Sequence, residues 1–298
     1  MLDTLVKTLE GLAPTPGCAS TFLDDVILFR ADSPSPRKPL IYDQCLCIAV
    51  QGKKIIHLSE RSFTYDPSHF LVVPTVVPIE CETFASPKKP FFAITILIDF
   101  ATVQEIIGQL GDAFSEASAS MAPQPGVYLE SLTDDIIEPL IRLLKSLGTE
   151  GETKVLGKQI LREIYYRVLL GGHGHILASA ARGETAYARI ATSLRTIHEN
   201  YAETLDVPQL AESANMSVRS FHDHFKAVTQ HTPVQYLKRI RLEKARRFMA
   251  GQGLQASVTA HMVGYESSSQ FSREFKRHFG YPPSEARARD DSHTFAKV

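Results

Sequence analysis

No stretch of this chain approaches the roughly 18 consecutive apolar residues that a membrane-crossing helix needs. The longest, FFAITILI at residues 91–98, has the length of a buried strand. The opening MLDTLVKTLEGL carries acidic residues early and lacks a long apolar core, so it does not read as a signal peptide. Cysteine is scarce. Cys18, Cys45, Cys47 and Cys81 include no C-x-x-C pair, which argues against a zinc site or a thioredoxin-like motif. The expected compartment is the cytoplasm, with reduced thiols and no membrane partner. Between residues 20 and 100 there are only two histidines, His57 and His69, and no H-x-H pair, so no metal is expected there. Each of the two reads first as a surface or satisfied core residue. A nucleophile elbow, a phosphate loop, a dinucleotide-binding glycine fingerprint and an H-E-x-x-H motif are all missing. The expectation is no enzyme and no cofactor.

What the chain does contain is a repeat. Phe221-x-x-x-Phe225-Lys226 followed by Pro233 returns as Phe271-x-x-x-Phe275-Lys276 followed by Pro283, at a constant offset of 50. Upstream of each copy a small residue stands four positions before a residue that tolerates a left-handed turn: Ala211 before Asn215, Ala260 before Gly264. Each copy therefore reads as helix, tight turn, helix. The second turn is one residue longer than the first. Ser217 and Ser267 are the natural N-caps of the two second helices, and the phenylalanine pairs, four apart, mark their buried sides.

The segments NMSVRSFHDHFKAVTQHTPVQYLKRIRLEKARRFM and VGYESSSQFSREFKRHFGYPP resemble the DNA-binding domain of AraC/XylS-type transcription regulators. The match covers the last third of the chain. The segments PLIYDQCLCIAVQGKKIIHL, YDPSHFLVVP and LREIYYRVLLGG resemble the sensor domain of one subgroup of those regulators, a cupin-like β-barrel followed by helices. The fold expected is a two-domain α+β chain. An N-terminal cupin-like antiparallel β-barrel with flanking helices covers residues 1–180, with the barrel at about 20–100 and helices at about 101–170. A C-terminal all-α domain with two helix-turn-helix motifs covers 186–290.

The residues support that division independently. A chain of 298 residues suits about two domains. From residue 186 onward there are 16 Lys and Arg against 11 Asp and Glu, a net of +5 that suits a polyanion partner; residues 1–185 carry 16 against 22, a net of −6. Leu2–Leu12 has helical spacing. FLDDVILFR, LIYDQCLCIAV, KKIIHL, SFTYDP, HFLVVP, PIECETF and FFAITILIDF read as short strands of a sandwich or barrel. ADSPSPRKP reads as a proline-rich turn, and Gln51-Gly52 as a hairpin turn. Helices follow at Ala101–Leu110, Thr133–Leu147, Thr153–Leu170 and Tyr187–Tyr201. GGHGHILASAARGETA reads as a glycine-rich hinge.

In a helix-turn-helix the second helix enters the major groove with its N-terminal half against base edges. The resemblance places base-reading positions at Arg219, His222 and Asp223. Arg219 has the fork that fits guanine O6 and N7. Asp223 either accepts from cytosine N4 or pairs with Arg219 at i,i+4. In the second copy Ser268, Ser269, Ser272 and Arg273 face outward, with Arg273 the strongest base contact. Short serines suggest that this copy reads fewer bases. Ser217, Lys226, Ser267, Lys276 and Arg277 are assigned to phosphates. Val234–Ala250 reads as a long linking helix. Its apolar face is Tyr236, Leu237, Ile240, Ala245, Phe248 and Met249; Lys238, Arg239, Arg241, Lys244, Arg246 and Arg247 line the rest.

The expected partners are double-stranded DNA, a small-molecule effector in the barrel, a second copy of the chain joined through helices 133–147 and 153–170, and RNA polymerase. Cys45 and Cys47, two apart on a strand, share a face. They are either small core residues or a redox or electrophile sensor. A barrel that binds no ligand and serves only protein contact is the alternative.

Overall fold

The computed structural model describes residues 1–58, 61–111, 127–182 and 186–286. Helix α1 (Leu2–Leu12) leads into strands β1 (Gly17–Ser20), β2 (Val26–Ala31), β3 (Ser35–Tyr42), β4 (Cys45–Gln51), β5 (Lys53–Leu58), β6 (Arg61–Tyr65), β7 (His69–Val73), β8 (Val77–Phe84) and β9 (Phe91–Leu97). Helix α2 (Phe100–Leu110) follows, then β10 (Tyr128–Ser131) and helices α3 (Asp134–Ser146), α4 (Glu150–Leu169) and α5 (Gly174–Arg182). The strands form two antiparallel sheets, one ordered β1-β2-β9-β4-β7-β10 and the other β3-β8-β5-β6.

The near-continuous apolar runs have a direct cause. The six-stranded sheet is covered on both faces, so its central strands bury both sets of side chains. Along β4, Leu46, Ile48 and Val50 point toward α1, α3 and α4, while Cys45, Cys47 and Ala49 point between the sheets. Strand β9 divides the same way: Phe92, Ile94 and Ile96 on the helical side, Phe91 and Ala93 on the other. Gly52 takes φ +78° in the β4–β5 turn, as the Gln51-Gly52 reading requires.

Three expectations need correction. Ser35 to Pro39 are not a turn but the first part of β3. That strand lies at the edge of the four-stranded sheet, where a proline removes no needed ladder bond. The glycine-rich joint is mostly helix α5, whose Ile176, Leu177, Ala178 and Ala181 are buried against the helical core. Gly174 is there for space, since a Cβ on it would stand 1.9 Å from the Leu169 carbonyl oxygen. The last part of that joint, residues 183–185, lies outside the described residues. Finally, most leucines and isoleucines of α3 and α4 pack within the chain, which leaves Val155 and Leu156 as the large apolar residues exposed on α4 among the described residues. Leu140, Leu143, Leu144 and Ile164 are each 0% exposed, packed against α1 and the six-stranded sheet.

The C-terminal part is all helical: α6 (Ala186–Glu199), α7 (Val207–Ser213), α8 (Val218–Thr229), α9 (Pro233–Gln252), α10 (Ala256–Met262), α11 (Ser268–Phe279) and a 3-10 turn at Pro283–Glu285. It holds two cores. One gathers Phe221, Phe225, Tyr236 and Ile240; the other gathers Leu242, Met249, Phe271 and Phe275. Helix α9 contributes to both and also packs on β3 and β8.

Candidate nucleic-acid interface and effector cavity

Each helix-turn-helix is built by the same local chemistry. In the first, α7 ends and Asn215 takes φ +50°; the Met216 N–H returns to the Ala211 carbonyl at 2.9 Å. In the second, Gly264 takes φ +85° and the Tyr265 N–H returns to the Ala260 carbonyl at 2.9 Å. Both alanines are buried, which is what a close helix crossing needs. The turns have the predicted difference of one residue. Ser217 caps α8 by accepting from the Ser220 N–H, and Ser267 caps α11 by accepting from the Gln270 N–H. The C-termini also match at the offset of 50. Gln230 and Gly280 both adopt the left-handed conformation, and their N–H groups bond the Lys226 and Lys276 carbonyls. Gln230 gave no sequence signal for that role, because the conformation favours glycine or asparagine.

Phe221, Phe225, Phe271 and Phe275 are fully buried, and this orients the opposite faces outward. Arg219 and Asp223 are exposed on α8, with His222 half-buried beside them. No ion pair joins Arg219 to Asp223 among the described residues. On α11, Ser269 and Arg273 are exposed, while Ser268 and Ser272 are half-buried. The Ser272 hydroxyl donates to the Ser268 carbonyl at 2.9 Å, so its proton is already committed within the helix. Ser217, Lys226, Ser267, Lys276 and Arg277 lie along the two helices and at their caps, on the solvent side. The two cap serines accept from backbone N–H groups, which leaves each hydroxyl proton able to point outward.

Several of the charges that line the rest of α9 are engaged within the chain. Glu243 and Arg246 are buried together and bonded, Arg246 Nη2 to Glu243 Oε2 at 3.1 Å. Lys238 Nζ binds Glu274 Oε1 of α11 at 2.8 Å, and Tyr265 donates to Glu274 Oε2 at 2.9 Å. Burial opposes ionisation of Glu274, but the bonds from Lys238, Gln270 and Tyr265 prevail and hold its carboxyl below the usual range. Arg241 spends its guanidinium on backbone carbonyls. Spacing on a helix shows which residues share a face; it does not show that a second structure lies against the polar one.

That second structure is the sheet unit. Tyr236 Oη donates to the Val76 carbonyl at 3.1 Å, and Arg239 Nη2 lies 3.6 Å from Glu80 Oε1 of β8, whose other oxygen holds Arg37 at 2.6 Å. Burial pushes the Asp43 carboxyl up, against the pull of Arg247 and Lys244. His231 and His278 lie beside Arg239; burial first, then that positive charge, lowers both to about 4.

Between the sheets is a cavity of about 100 Å³ lined by Phe29, Lys38, Leu40, Lys54, Cys81 and Thr83, among others. Register explains it. Lys38 stands opposite Cys81 and Lys54 opposite Thr83, so both lysines occupy positions on the same face of the four-stranded sheet. Along β5 the inward series is Lys54, Ile56, Leu58. Lys54 is only 2% exposed, and its Nζ lies 5.3 Å from the Phe29 ring centre and 5.6 Å from that of Tyr42. Tyr42 and Tyr65 join their hydroxyls at 3.2 Å nearby. The alternation of KKIIHL was legible, but which lysine pointed inward was not.

Cys45 and Cys47 share the interior face as expected, with Sγ atoms 3.5 Å apart, and both are buried. The hydrogen bond from Cys45 lowers the Cys47 thiol, against burial and with help from Lys54. His57 lies between Ser62 Oγ at 2.8 Å and Glu82 Oε1 at 3.1 Å; His69 is exposed near Asp66. Among the described residues no three His, Cys, Asp or Glu side chains form a metal cage, and no helix is long and apolar enough to cross a membrane.

Comparison with known proteins agrees with this geometry in both halves of the chain. The model of the AraC-type transcriptional regulator N-terminus matches residues 23–176, and a helix-turn-helix domain model matches residues 210–289. The chain belongs to the AraC-type transcriptional regulators, a family of regulators and not of enzymes. It is 26% identical over 156 residues to the HTH-type transcriptional activator RhaS of Citrobacter koseri, covering 52% of this chain and 55% of that protein. It is 39% identical over 99 residues to a putative AraC-like transcription regulator of Streptomyces lividans, covering 33% of this chain and 32% of that one. The chain spans about half the length, or less, of these curated relatives. Among solved structures, unsaturated fatty acid-bound ToxT of Vibrio cholerae shares the fold with a TM-score of 0.57 at 12% identity, covering 91% of this chain and 96% of that one.

Proposed function

We propose that this chain is a sequence-specific DNA-binding transcription regulator that catalyses no reaction. The observation that carries this reading is the pair of identically capped helices, α8 and α11, each presenting an exposed arginine from its N-terminal half: Arg219 and Arg273. Arg219, His222 and Asp223 read one groove; Ser268, Ser269, Ser272 and Arg273 read the next. Ser217, Lys226, Ser267, Lys276 and Arg277 hold phosphates. Residues 186–290 form the DNA-binding domain and 1–180 the sensor domain. The working form is a cytoplasmic homodimer that contacts RNA polymerase at its promoters. The test is retardation of DNA fragments from a randomised pool by full-length protein. Selection of a defined sequence, with affinity falling steeply as salt rises, is expected. A salt-independent interaction or no selected sequence contradicts it.

The cavity between the sheets is the effector site. Two lysines beside Phe29 and Leu40 and the hydroxyl-bearing Ser33, Ser35 and Thr83 suit a small organic anion, and ToxT, which shares the fold, holds an unsaturated fatty acid. Helix α9 rests on β3 and β8, the strands that supply Lys38, Cys81 and Thr83, so occupancy has a short route to the DNA-reading part. A rise in melting temperature with butanoate or hexanoate, absent with the matched amides, is the expected result. Equal response to acid and amide contradicts the assignment of the lysines.

A further inference from the structure

Arg241 lies midway along α9 with all three guanidinium nitrogens committed to backbone. Nε donates to the Tyr201 carbonyl at 2.7 Å and Nη2 to the Glu203 carbonyl at 2.8 Å, both in the loop before α7. Nη1 donates to the Gly264 carbonyl at 2.8 Å, in the turn between α10 and α11. One side chain thus ties the loop that leads into the first helix-turn-helix to the turn inside the second.

The two backbones meet directly at this point. A Cβ on Gly264 would stand 2.3 Å from the Ala202 carbonyl oxygen and 2.8 Å from Arg241 Nη2. Gly264 also has φ +85°, a conformation that side chains resist. Tyr201 packs against both C-terminal cores, and Lys244 Nζ lies 5.5 Å from its ring centre. The rest of each module is fixed to its own side of the joint. Helix α8 is held by the first core, and α11 by the second core and by Glu274. The modules cannot turn relative to each other about α9 without breaking the arginine's bonds. A lysine cannot replace it, because a single ammonium lacks the planar fork that reaches three carbonyls in different directions.

We propose that Arg241, seated against Gly264, is the positioning residue that sets the distance and angle between the two reading helices, and through them the operator spacing this protein accepts. This rests on α8 and α11 being base-reading helices. Arg241 itself touches no base.

The experiment uses the full-length protein and the operator selected from a random pool. The two base determinants, mapped by footprinting, are moved apart or together by one and two base pairs. Wild-type affinity should fall about tenfold or more for each displaced determinant, the cost of losing one bidentate contact. Arg241→Lys and Gly264→Ala should both flatten this profile to within about threefold, at lower affinity for the native spacing, while each determinant alone remains protected. Arg241→Gln should do the same; where it fails to fold, Arg241→Lys keeps the charge and the stem and gives the answer. A merely structural role lowers affinity by one factor at every spacing and leaves the profile steep, and that result overturns the proposal. Wild-type protein that selects no sequence overturns the base-reading assignment on which it rests, so the two failures are distinguishable.

Discussion

Arg239 of α9 faces Glu80 of β8 across 3.6 Å, so the helix that links the two helix-turn-helix modules is held against the sheet unit by its own side chains. Tyr236 adds a direct bond to the Val76 carbonyl. Any communication between cavity and DNA has this seam available, and it does not require a flexible joint.

The seam makes a first prediction. Glu80→Gln removes the carboxylate that Arg37 and Arg239 share. The pair is partly exposed and long, so the loss of stability should be about 1 kcal/mol or less. The local effect should be clearer: faster amide hydrogen exchange in residues 233–252 and in β8, with α10 and α11 unchanged. Identical exchange across α9 would mean that the ion pair contributes nothing to docking.

Core substitutions should divide sharply from surface ones. Phe225→Ala or Phe275→Ala opens a cavity in a fully buried aromatic cluster and should cost about 3–5 kcal/mol in denaturant unfolding. Ile164→Asp belongs in the same class. Ile164 is enclosed by its own chain, so the substitution should unfold the N-terminal part instead of yielding folded monomers. Folded monomeric Ile164→Asp protein in sedimentation would contradict that enclosure.

The contrast between what the sequence revealed and what it hid follows from range. Helices α1, α8, α9 and α11, both caps and both left-handed turns were legible, because capping and turn chemistry act within a few residues. Strand β1 and strand β10 were not, because GCAS and YLES are four residues each, too short to show an apolar and polar alternation. The N-terminal half of β3 was hidden because its prolines are acceptable only at a sheet edge, and edges are set by tertiary pairing. Helix α5 was hidden because the glycines in its surroundings outweighed the buried spacing of Ile176, Leu177 and Ala181. The outward placement of Arg219 and Arg273 was legible because the phenylalanine pairs mark the buried sides of α8 and α11, and both arginines are exposed. The duties of Lys238 and Arg241 depend on partners 36 and 40 residues away and were invisible to spacing.

Thiol reactivity tests the alternative role of Cys45 and Cys47. Both are buried, as is Cys81, whereas Cys18 is exposed on β1. Maleimide should modify Cys18 first in native protein, with the other three reacting only as the chain unfolds. Fast native labelling at Cys45 or Cys47, or a mass loss of about 2 Da at that pair after brief peroxide treatment, would favour the sensor reading instead.

Stability should fall with acid in a defined window. His198, His231 and His278 are each lowered from 6.5 to about 4, by burial first and then by nearby positive charge. The unfolded chain therefore binds these protons more readily than the folded one between those values. Stability gained from keeping them neutral is complete above about pH 6.5 and drains as pH falls toward about 4. Asp43 and Glu243, both raised by burial, act in the opposite sense over their own range. The melting temperature of His278→Gln should depend less steeply on pH across that window than wild type. Parallel curves would show that His278 takes no part.

One measurement separates the base-reading role proposed for Arg219 and Arg273 from the phosphate role proposed for Lys226 and Lys276. Full-length wild type, Arg219→Ala, Arg273→Ala, Lys226→Ala and Lys276→Ala are each titrated against the same randomised operator library. Each arginine variant should lose about 1–3 kcal/mol and relax preference at its own base position, the two positions lying in different halves of the operator. Each lysine variant should weaken every sequence by nearly the same factor and reduce the salt slope by about one. If all four variants weaken the library uniformly, α8 and α11 do not read bases through Arg219 and Arg273, and the assignment of this interface is wrong.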